Sequence, residues 1–390
     1  MRLTTATPPI TRQRRRPGGE QRWEVRRQDC LDALSALAAG SVDAVITDPP
    51  YGINFRGLAW DRPSTSETAP KRGTASADGG YQAWCERWAR ECLRVLRPGG
   101  HLVSFGAART AHRLASGIED AGFELRDLLL WLYGQGFPKS KNLAGPWSGW
   151  GTTLKPGYEP ILLTRKPLAG RLEDNVARHR TGALHIDACR LAPTEPRIGP
   201  PGGRTGRARA DHPTGEPPAP TPADVGGRWP TNLLLGHAPG CSPGRCTVEC
   251  PIGALGARAR FFYCAKTDRR ERDAGCEHLR PRTTQTFAIG REAELKATAH
   301  PVANHHPTVK PLELMRWLLR LVTPPDGLIV DPFCGSGSTG CAAVLEGRRF
   351  LGIERDPAYA AIARARIQHW AGGQAEPPSP APTGTAKASL

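Results

Sequence analysis

The sequence lacks any run of about 18 or more apolar residues, the length that a membrane-spanning helix requires. The Arg-rich N-terminal region also lacks the apolar segment of a secretory signal, so we expect neither export nor contact with a membrane. The 11 cysteines are odd in number, and without a secretory signal they predict reduced thiols rather than a disulfide framework. These absences together predict a cytoplasmic protein.

Apolar residues are also rather few, at 39% of the 390 residues, although a chain of this length still buries a sizeable core. The length allows one large domain or two to three ordinary ones. Glycine and proline, with 44 and 38 residues, make up about 21% of the chain, well above average usage. Long irregular segments are therefore expected around the core.

Positive charge dominates, with a net charge of +16 and a pI of about 9.8. Residues 1–28 contribute +6, and residues 168–300 contribute another +6. A basic excess of this size favours a polyanionic partner, most often nucleic acid. The alternative is a soluble protein in which arginine is simply abundant because the genome is GC-rich.

The distribution of residue types predicts one α/β sheet domain that is interrupted by a basic, irregular insert. Residues 23–167 and 304–370 alternate between apolar strand-like runs and helical periodicity. Residues 168–303, between them, are dominated by Pro, Gly, Arg and Thr and show no repeat. We expect disorder in the basic arm, 1–22, and in the Pro/Ala/Ser-rich tail, 371–390.

Hydrophobic patterns within the two α/β stretches place the individual elements. Short apolar runs predict strands at 42–47, 101–105, 125–133, 159–164, 328–330 and 350–353. Helical periodicity predicts helices at 81–96, 108–121, 311–322, 338–347 and 357–370.

A glycine-rich loop follows the predicted strand at 328–330 and leads into a helix. Glycines let the backbone approach a ligand closely, and the helix start offers unpaired N–H groups. A second strand ends at Glu354, where a carboxylate can accept both ribose hydroxyls of an adenosine ligand. The glycine pattern alone also fits a dinucleotide. Asp331 at the strand tip would repel a pyrophosphate but suits an ammonium group, so we favour S-adenosylmethionine over NAD.

A second motif, Asp48, Pro49, Pro50 and Tyr51, follows the strand at 42–47. The exocyclic amine of a nucleobase is a poor nucleophile, because its lone pair is delocalised into the ring. The Asp48 carboxylate and the Pro49 carbonyl can accept both amine hydrogens, which turns the lone pair towards a methyl donor. Tyr51 can stack on an extruded base. The alternative is a stiff turn in which Asp48 caps and Tyr51 packs.

These two motifs resemble the catalytic and S-adenosylmethionine motifs of the amino-group DNA methyltransferases. Their order, with the catalytic motif first, is similar to that of the β class of adenine-N6 and cytosine-N4 enzymes, as is the 306–311 segment. The resemblance implies a doubly wound, mostly parallel, Rossmann-like sheet with a permuted motif order, in which residues 23–167 form the catalytic half and residues 304–370 the cofactor half. It also implies that the insert, 168–303, recognises the target sequence.

The resemblance assigns roles to individual residues. It implies that the catalytic residues are Asp48, Pro49, Pro50 and Tyr51. It also implies that the cofactor-binding residues are Asp29, Asp331, Phe333, Gly335, Gly337 and Glu354. For Asp29, the cap of a helix N-terminus is an equally good interpretation.

The residue before Pro49 indicates which target base is favoured. Adenine enzymes of this class usually carry Asp there, and cytosine-N4 enzymes usually Ser, so Asp48 favours N6 methylation of a flipped adenine in a specific site of double-stranded DNA. The alternative is cytosine-N4 methylation. An RNA base methyltransferase is disfavoured by the motif order, and an NAD-dependent oxidoreductase leaves the Asp48 motif unexplained. No Pro-Cys pair is present, which disfavours the covalent cytosine-C5 mechanism.

The resemblance further implies a bacterial or phage-encoded enzyme of restriction-modification type. It leaves open a homodimer, a partner endonuclease and the recognition sequence.

Two weaker signals lie in the insert. His237, Cys241, Cys246 and Cys250 are soft ligands close together, so they are candidates for a structural Zn²⁺. Their irregular spacing, without a C-x2-C pair, equally fits reduced cysteines that bind no metal. Arg269 and Arg270 are candidate contacts to DNA phosphates.

Overall fold

The computed structural model describes residues 22–53, 61, 80–133, 140–191, 227–237, 241, 245–248, 250–255, 263–265, 269–280, 282–283 and 301–372. The predicted basic arm apart from Arg22, the predicted tail beyond Gly372, and all of 192–226 lie outside these residues. Within them, no helix is long and apolar enough to cross a membrane.

The described strands and helices follow most of the predicted elements to within a few residues. The strands are β1 (Trp23–Arg26), β2 (Val42–Thr47), β3 (Leu96–Phe105), β4 (Glu124–Leu132), β5 (Tyr158–Arg165), β6 (Leu233–Gly236), β7 (Tyr263–Ala265), β8 (Arg282–Thr283), β9 (Pro301–Val302), β10 (Leu328–Asp331) and β11 (Arg349–Ile353). The helices are α1 (Cys30–Ser35), α2 (Gly80–Val95), α3 (Ala111–Asp120), α4 (Leu172–His179), α5 (Pro251–Leu255), α6 (Arg269–Asp273), α7 (Leu312–Val322), α8 (Ser338–Leu345) and α9 (Pro357–Ala371).

At the centre of the main sheet, β2 from the first α/β stretch pairs with β10 from the second. Among the described strands, nine pair in the order β1-β11-β10-β2-β3-β5-β4-β6-β7. Strand β5 runs antiparallel to both of its neighbours, and every other pairing is parallel. The prediction of a doubly wound, mostly parallel α/β sheet is therefore confirmed.

Both faces of the central strands are buried, which explains why their sequences are apolar throughout. All six residues of β2 are buried. Its Ala44 and Ile46 pack into the core cluster that contains α7, α8 and α9, whereas Val45 packs into the cluster on the opposite face with α2 and α3. The sheet is thus the middle layer of three.

Strand β3 begins at Leu96, five residues before its predicted start, and includes Pro98, Gly99 and Gly100. Gly99 has a φ of +78°, and its N–H donates to the carbonyl of Lys166 at 3.1 Å. The glycine therefore lets an irregular strand start pair with the chain that follows β5.

The stretch predicted as the insert contributes directly to the sheet domain. Strands β6 and β7 extend the sheet beyond β4. The Asn175 side chain in α4 donates to the carbonyls of Pro98 and Thr181. The backbone N–H of His185 donates to the carbonyl of Leu321 in α7 at 2.8 Å. Tertiary hydrogen bonds of this kind leave no periodic signal in the sequence.

Candidate active site

The main cleft lies where the direction of sheet winding changes. Strands β10 and β2 are parallel neighbours, and the chain continues from them towards opposite edges of the sheet. Open α/β sheets bind ligands at such a point, outside the carboxyl ends of the strands. A cavity of about 1650 Å³ opens there, and both the Asp48–Tyr51 turn and the loop that begins at Asp331 line it.

The Asp48 carboxylate belongs to a cluster of four side chains, which we call the catalytic cluster: Asp48, Tyr51, Glu159 and Lys310. The Tyr51 hydroxyl lies 2.7 Å from Asp48 Oδ1 and 3.1 Å from Glu159 Oε2, within donor distance of both. The buried Lys310 ammonium donates to Asp48 Oδ2 at 2.6 Å and lies 3.3 Å from Glu159 Oε2. Both carboxylates are thereby fixed in orientation.

The catalytic cluster holds two carboxylates and one ammonium in a buried setting. Burial opposes the charge of Lys310, but Asp48 and Glu159 outweigh it and raise the pKa of the ammonium above 10.5. Burial, with the same two carboxylates, raises the pKa of the Tyr51 hydroxyl well above 10. Lys310 therefore stays charged and Tyr51 stays a hydrogen-bond donor at neutral pH. With both acids ionised, the cluster carries a net charge of −1.

The carbonyls of the catalytic turn differ in what they bind. The Pro50 carbonyl accepts from the Tyr81 hydroxyl at 3.0 Å, and the Tyr51 carbonyl accepts from Thr110 Oγ1 at 2.8 Å. From the residues that the structure describes, the Pro49 carbonyl receives no hydrogen bond, and Pro49 lines the cavity. This carbonyl is available to a ligand.

Asp331, at the tip of β10, is buried and braces the neighbouring loop. Its Oδ1 accepts from Thr47 Oγ1 at 2.7 Å and from the Phe333 N–H at 3.1 Å, while Oδ2 accepts from Thr339 Oγ1 at 2.7 Å. Burial raises the pKa of Asp331 to about 6, although these hydrogen bonds oppose the shift. The carboxyl thus ties β2, β10 and α8 together at the base of the cleft, where it also lines the cavity.

Glu354, at the end of β11, receives two backbone hydrogen bonds. Its Oε2 accepts from the Gly335 N–H at 2.9 Å, and its Oε1 accepts from the Asp356 N–H at 2.8 Å. Burial raises the pKa of Glu354, and the two N–H donors oppose that shift. Each carboxylate oxygen keeps capacity for a further donor from a ligand.

Gly335 and Gly337 serve different contacts, although both have positive φ, at +52° and +78°. Gly335 lines the cavity, and a Cβ there would lie 2.7 Å from Nε2 of His306. Gly337 faces α9 instead, where a Cβ would lie 2.9 Å from the Cα of Ala363. The structure therefore places Gly335 at the cavity and Gly337 at the packing contact between loop and helix.

Phe333 and Asp29 both line the cavity and also have structural contacts. The Phe333 ring lies 5.5 Å from the rings of Trp84 and Trp88, in the aromatic cluster under the loop. Asp29 caps α1, with Oδ1 accepting from the Leu31 N–H at 2.9 Å. Asp29 therefore makes the hydrogen bond that the capping interpretation predicts. Because Asp29 also lines the cavity, its role in cofactor binding is a proposal.

Sequence reasoning missed four residues that shape the site: Glu159, Lys310, Asp61 and Arg366. Asp61 is buried and accepts the N–H groups of Tyr51 and Gly52 through one oxygen, at 2.7 and 2.9 Å. Arg366 is fully buried in α9 and donates to the Ser336 carbonyl at 2.8 Å. A charged residue in an otherwise apolar helix face was the available signal for Arg366. Nothing in the local sequence singles out Asp61 or Glu159.

Of the residues predicted from the insert, the four candidate metal ligands lie outside the cleft. The ligand atoms of His237, Cys241, Cys246 and Cys250 all lie within 4.8 Å of one another. Arg269 and Arg270 are the first two residues of α6, and their side chains lie outside the described part of the structure. Helix α6 itself is anchored to the start of α7, because the Leu312 N–H donates to Glu271 Oε1 at 2.6 Å.

The chain matches a family model and several known proteins. A family model described as DNA methylase, N6_N4_Mtase, matches residues 42–365. The chain belongs to this DNA methylase family. The resemblance to amino-group DNA methyltransferases, predicted from the two motifs, is thereby confirmed.

A relative matches most of this DNA methyltransferase. The type II methyltransferase M.HindIII of Haemophilus influenzae is 23% identical over 378 residues, which cover 87% of this chain and 93% of the relative. Among solved structures, the cytosine-N4-specific PvuII DNA methyltransferase matches with a TM-score of 0.48 and 16% identity, covering 89% of this chain and 86% of its own. The complex of M1.HpyAVI with SAM matches with a TM-score of 0.39 and 17% identity, covering 88% and 99%.

Proposed function

We propose that this DNA methyltransferase transfers a methyl group from S-adenosylmethionine to the N6 amine of an adenine that is flipped out of a specific DNA sequence. One observation carries the proposal. Asp48 and Asp331, 283 positions apart, lie at the ends of neighbouring strands and line the same cavity. A base at the turn and a cofactor at the loop would therefore meet in one cleft.

The donor set of the cavity suits S-adenosylmethionine better than a dinucleotide. Asp29, Asp331 and Glu354 place three carboxyl groups on the cofactor side of the cavity. Carboxylates repel a pyrophosphate but favour a ligand that carries a sulfonium and an ammonium group. Glu354 would accept the ribose hydroxyls, and Gly335 would allow the close approach of the backbone. When bound, S-adenosylmethionine supplies an electrophilic methyl group.

The catalytic turn would orient the target amine. The available Pro49 carbonyl and the fixed Asp48 carboxylate are two acceptors for the two amine hydrogens. Lys310 and Tyr51 hold Asp48 in place, so the protein loses little orientational freedom when the base enters. The amine nitrogen gains positive charge as it is methylated, and a cluster of net charge −1 stabilises that charge. The aromatic face of Tyr51 would stack on the flipped base.

Asp48 supports adenine as the target base because this position usually holds Asp in adenine enzymes and Ser in cytosine-N4 enzymes. The alternative target is the N4 amine of cytosine, which presents the same two hydrogens to the same acceptors. We keep cytosine as the second candidate because the geometry of the acceptors serves both amines.

DNA would contact the basic stretch 168–303 and the loop 140–157. The loop carries Trp147 and Trp150, which are 57% and 62% exposed and pack edge-to-face with ring centroids 5.5 Å apart. Its last residues line the cavity. Exposed aromatic rings at the mouth of the cleft suit stacking on bases of a distorted duplex. Arg269 and Arg270 would contact phosphates.

Sequencing the DNA of cells that express this chain, with a readout of modified bases, tests the proposal. We expect N6-methyladenine at one sequence and none in cells that express Asp48→Ala. N4-methylcytosine at one sequence would show that cytosine, the second candidate, is the target base. DNA without either base, from cells that contain the folded protein, would contradict both.

Replacing Arg269 and Arg270 together with Ala tests the phosphate contacts. DNA binding should weaken, and its dependence on salt should become shallower, because fewer counterions are released. Arg90→Ala on α2 is the matched control, since Arg90 is exposed and pairs with Glu86. Unchanged DNA affinity in the double variant would contradict the assignment.

A further inference from the structure

A cluster of four soft ligands, which we call the Cys3His cluster, lies beside β6, towards the opposite edge of the sheet from the cofactor loop. It consists of His237, Cys241, Cys246 and Cys250. His237 directly follows β6, and Cys250 directly precedes α5. The cluster therefore connects a sheet strand to a short helix, and it shares no residue with the cavity.

Two distances within the cluster match the edges of a tetrahedral zinc site. Nδ1 of His237 lies 3.6 Å from Sγ of Cys246 and 3.5 Å from Sγ of Cys250. Tetrahedral zinc with Zn–S of about 2.3 Å and Zn–N of about 2.0 Å separates nitrogen and sulfur ligands by about 3.5 Å and sulfur pairs by about 3.8 Å. All four ligand atoms lie within 4.8 Å of one another, so one ion reaches them all.

The contacts around the cluster leave its sulfurs accessible to one another and place a backbone N–H at one of them. The Thr247 N–H donates to Cys241 Sγ at 3.4 Å, which is the kind of hydrogen bond that supports a metal-bound thiolate. Cys241, Cys246 and Cys250 form no disulfide despite their proximity. Gly253 lets α5 approach, because a Cβ there would lie 2.8 Å from the Cβ of Cys246.

We propose that the Cys3His cluster binds one structural Zn²⁺. Three sulfurs and one nitrogen are ligands that zinc prefers, and four protein ligands leave no open position for catalysis. Binding would release the protons of the three thiols, and the oxidation states of metal and sulfur would not change. Zinc is favoured over magnesium or calcium, because those ions prefer oxygen ligands.

The ion would stabilise the part of the sheet around β6, where the described residues form a small apolar cluster. The local apolar cluster contains three buried residues, Leu235, Cys250 and Ile252. Strand β6 spans four residues and α5 five, and a helix of that length is unstable unless tertiary contacts hold it. The metal would add to this small cluster by linking β6 to α5 directly.

Metal analysis of the purified full-length chain tests the site. We expect about one zinc ion per chain in the wild type and less than about a fifth of that in Cys246→Ser and Cys250→Ala. Cys276→Ala is the matched control, because Cys276 is a buried cysteine of the same stretch outside the cluster. That variant should keep the full zinc content. Cobalt in place of zinc should give the visible spectrum of a tetrahedral, thiolate-bound ion.

Affinity for S-adenosylmethionine provides the folding control, since the cavity lies elsewhere. If the Cys246→Ser variant binds the cofactor normally but has lost zinc, the site is confirmed. If that variant does not fold, zinc titration of the metal-stripped wild type decides the question. A wild type that binds no zinc, contains iron instead, gives an octahedral cobalt spectrum or has the three cysteines paired in disulfides would overturn the proposal.

Discussion

On the cofactor side of the cleft, the residues that line the cavity come from three short stretches at or just after strand ends, 28–31, 331–339 and 353–359. On the catalytic side, the residues that meet come from distant parts of the chain: Glu159 lies 108 positions from Tyr51, and Lys310 lies 262 positions from Asp48. In the proposed function, the cofactor side would work through backbone N–H groups and hydroxyls that local segments present. The catalytic side would work through charges whose balance depends on the whole fold.

This difference predicts how each side responds to substitution. Removal of a charge from the catalytic cluster leaves another buried charge without its partner, so the effect should be large and should fall on turnover. Loss of one contact on the cofactor side leaves the other contacts of the loop intact, so the effect should be smaller and should fall on affinity.

The largest effect is expected for Asp48→Ala. It removes an acceptor that acts mainly in the transition state, so turnover should fall by about 1000-fold, or about 4 kcal/mol, with cofactor affinity intact. Single-turnover kinetics and cofactor binding measure the two quantities. Asp43→Ala is the control, because Asp43 is an acid at the opposite end of β2 and binds the Leu328 N–H. A variant that retains more than about a tenth of turnover would contradict the assigned role.

The next effect concerns the pH dependence of stability. Burial raises the pKa of Asp331 from 3.8 to about 6, so the folded state takes up a proton more readily than the unfolded chain does. The stability that this group contributes is therefore lost as the pH rises from about 4 to about 6.

Asp331→Asn cannot ionise, so its free energy of unfolding relative to wild type should rise by up to about 3 kcal/mol across this window and stay constant above about pH 7. Urea unfolding of both proteins at a series of pH values measures this difference in free energy. The contributions of the other titrating groups cancel, because both proteins contain them. A difference that does not change with pH would mean that the carboxyl of Asp331 is not destabilised by burial.

Lys310→Met tests whether the charge balance of the catalytic cluster matters for turnover. Asp48 and Glu159 would face each other without the ammonium, and Asp48 would lose its fixed orientation. Turnover should fall by about 100-fold, or about 2.7 kcal/mol, while cofactor affinity changes little. Lys166→Met is the control, because Lys166 donates to the carbonyl of Leu96 outside the cavity. Equal losses in the two variants would mean that Lys310 acts only through stability.

Gly335→Ala tests the contacts on the cofactor side of the cleft. A Cβ would strain the backbone and press on His306, so cofactor affinity should fall by about 30-fold, or about 2 kcal/mol. Gly347→Ala has a similar positive φ, +65°, but open space around its Cβ. It should lower stability by about 1 kcal/mol and leave affinity unchanged. Calorimetric titration separates the two. Equal affinity losses would show that strain, rather than the contact at the cavity, is responsible.

Glu354→Ala is expected to have the smallest effect. The KM for S-adenosylmethionine should rise by about 10-fold, with turnover nearly unchanged, because ribose contacts are similar in the ground and transition states. Glu346→Ala is the control, because Glu346 pairs with Arg316 outside the cavity. Steady-state kinetics at saturating DNA measures both parameters. If turnover falls as much as affinity does, Glu354 has a different role.

Most individual elements could be predicted from the sequence because they depend on local patterns. The apolar run at 42–47 became β2, and the strand–loop–helix pattern around Asp331 became β10 and α8. The apolar run at 261–264 predicts a strand where β7 lies, but β6 was not foreseen, since a short strand in a glycine- and proline-rich stretch lacks a clear period. Strand β6 forms because tertiary pairing with β4 on one side and with β7 on the other satisfies its backbone.

The sequence by itself determined which chemical groups would end each strand, because a strand followed by Asp48 and Pro49, or by Asp331 and a glycine loop, is a local property of the chain. Only the tertiary structure decided which charges surround those groups. Lys310 and Glu159 join the cluster around Asp48 because parallel pairing of β2 with β10 and antiparallel pairing of β5 with β3 bring distant segments to one cleft. Electrostatic interactions depend on separation in space, and separation along the chain does not reveal it.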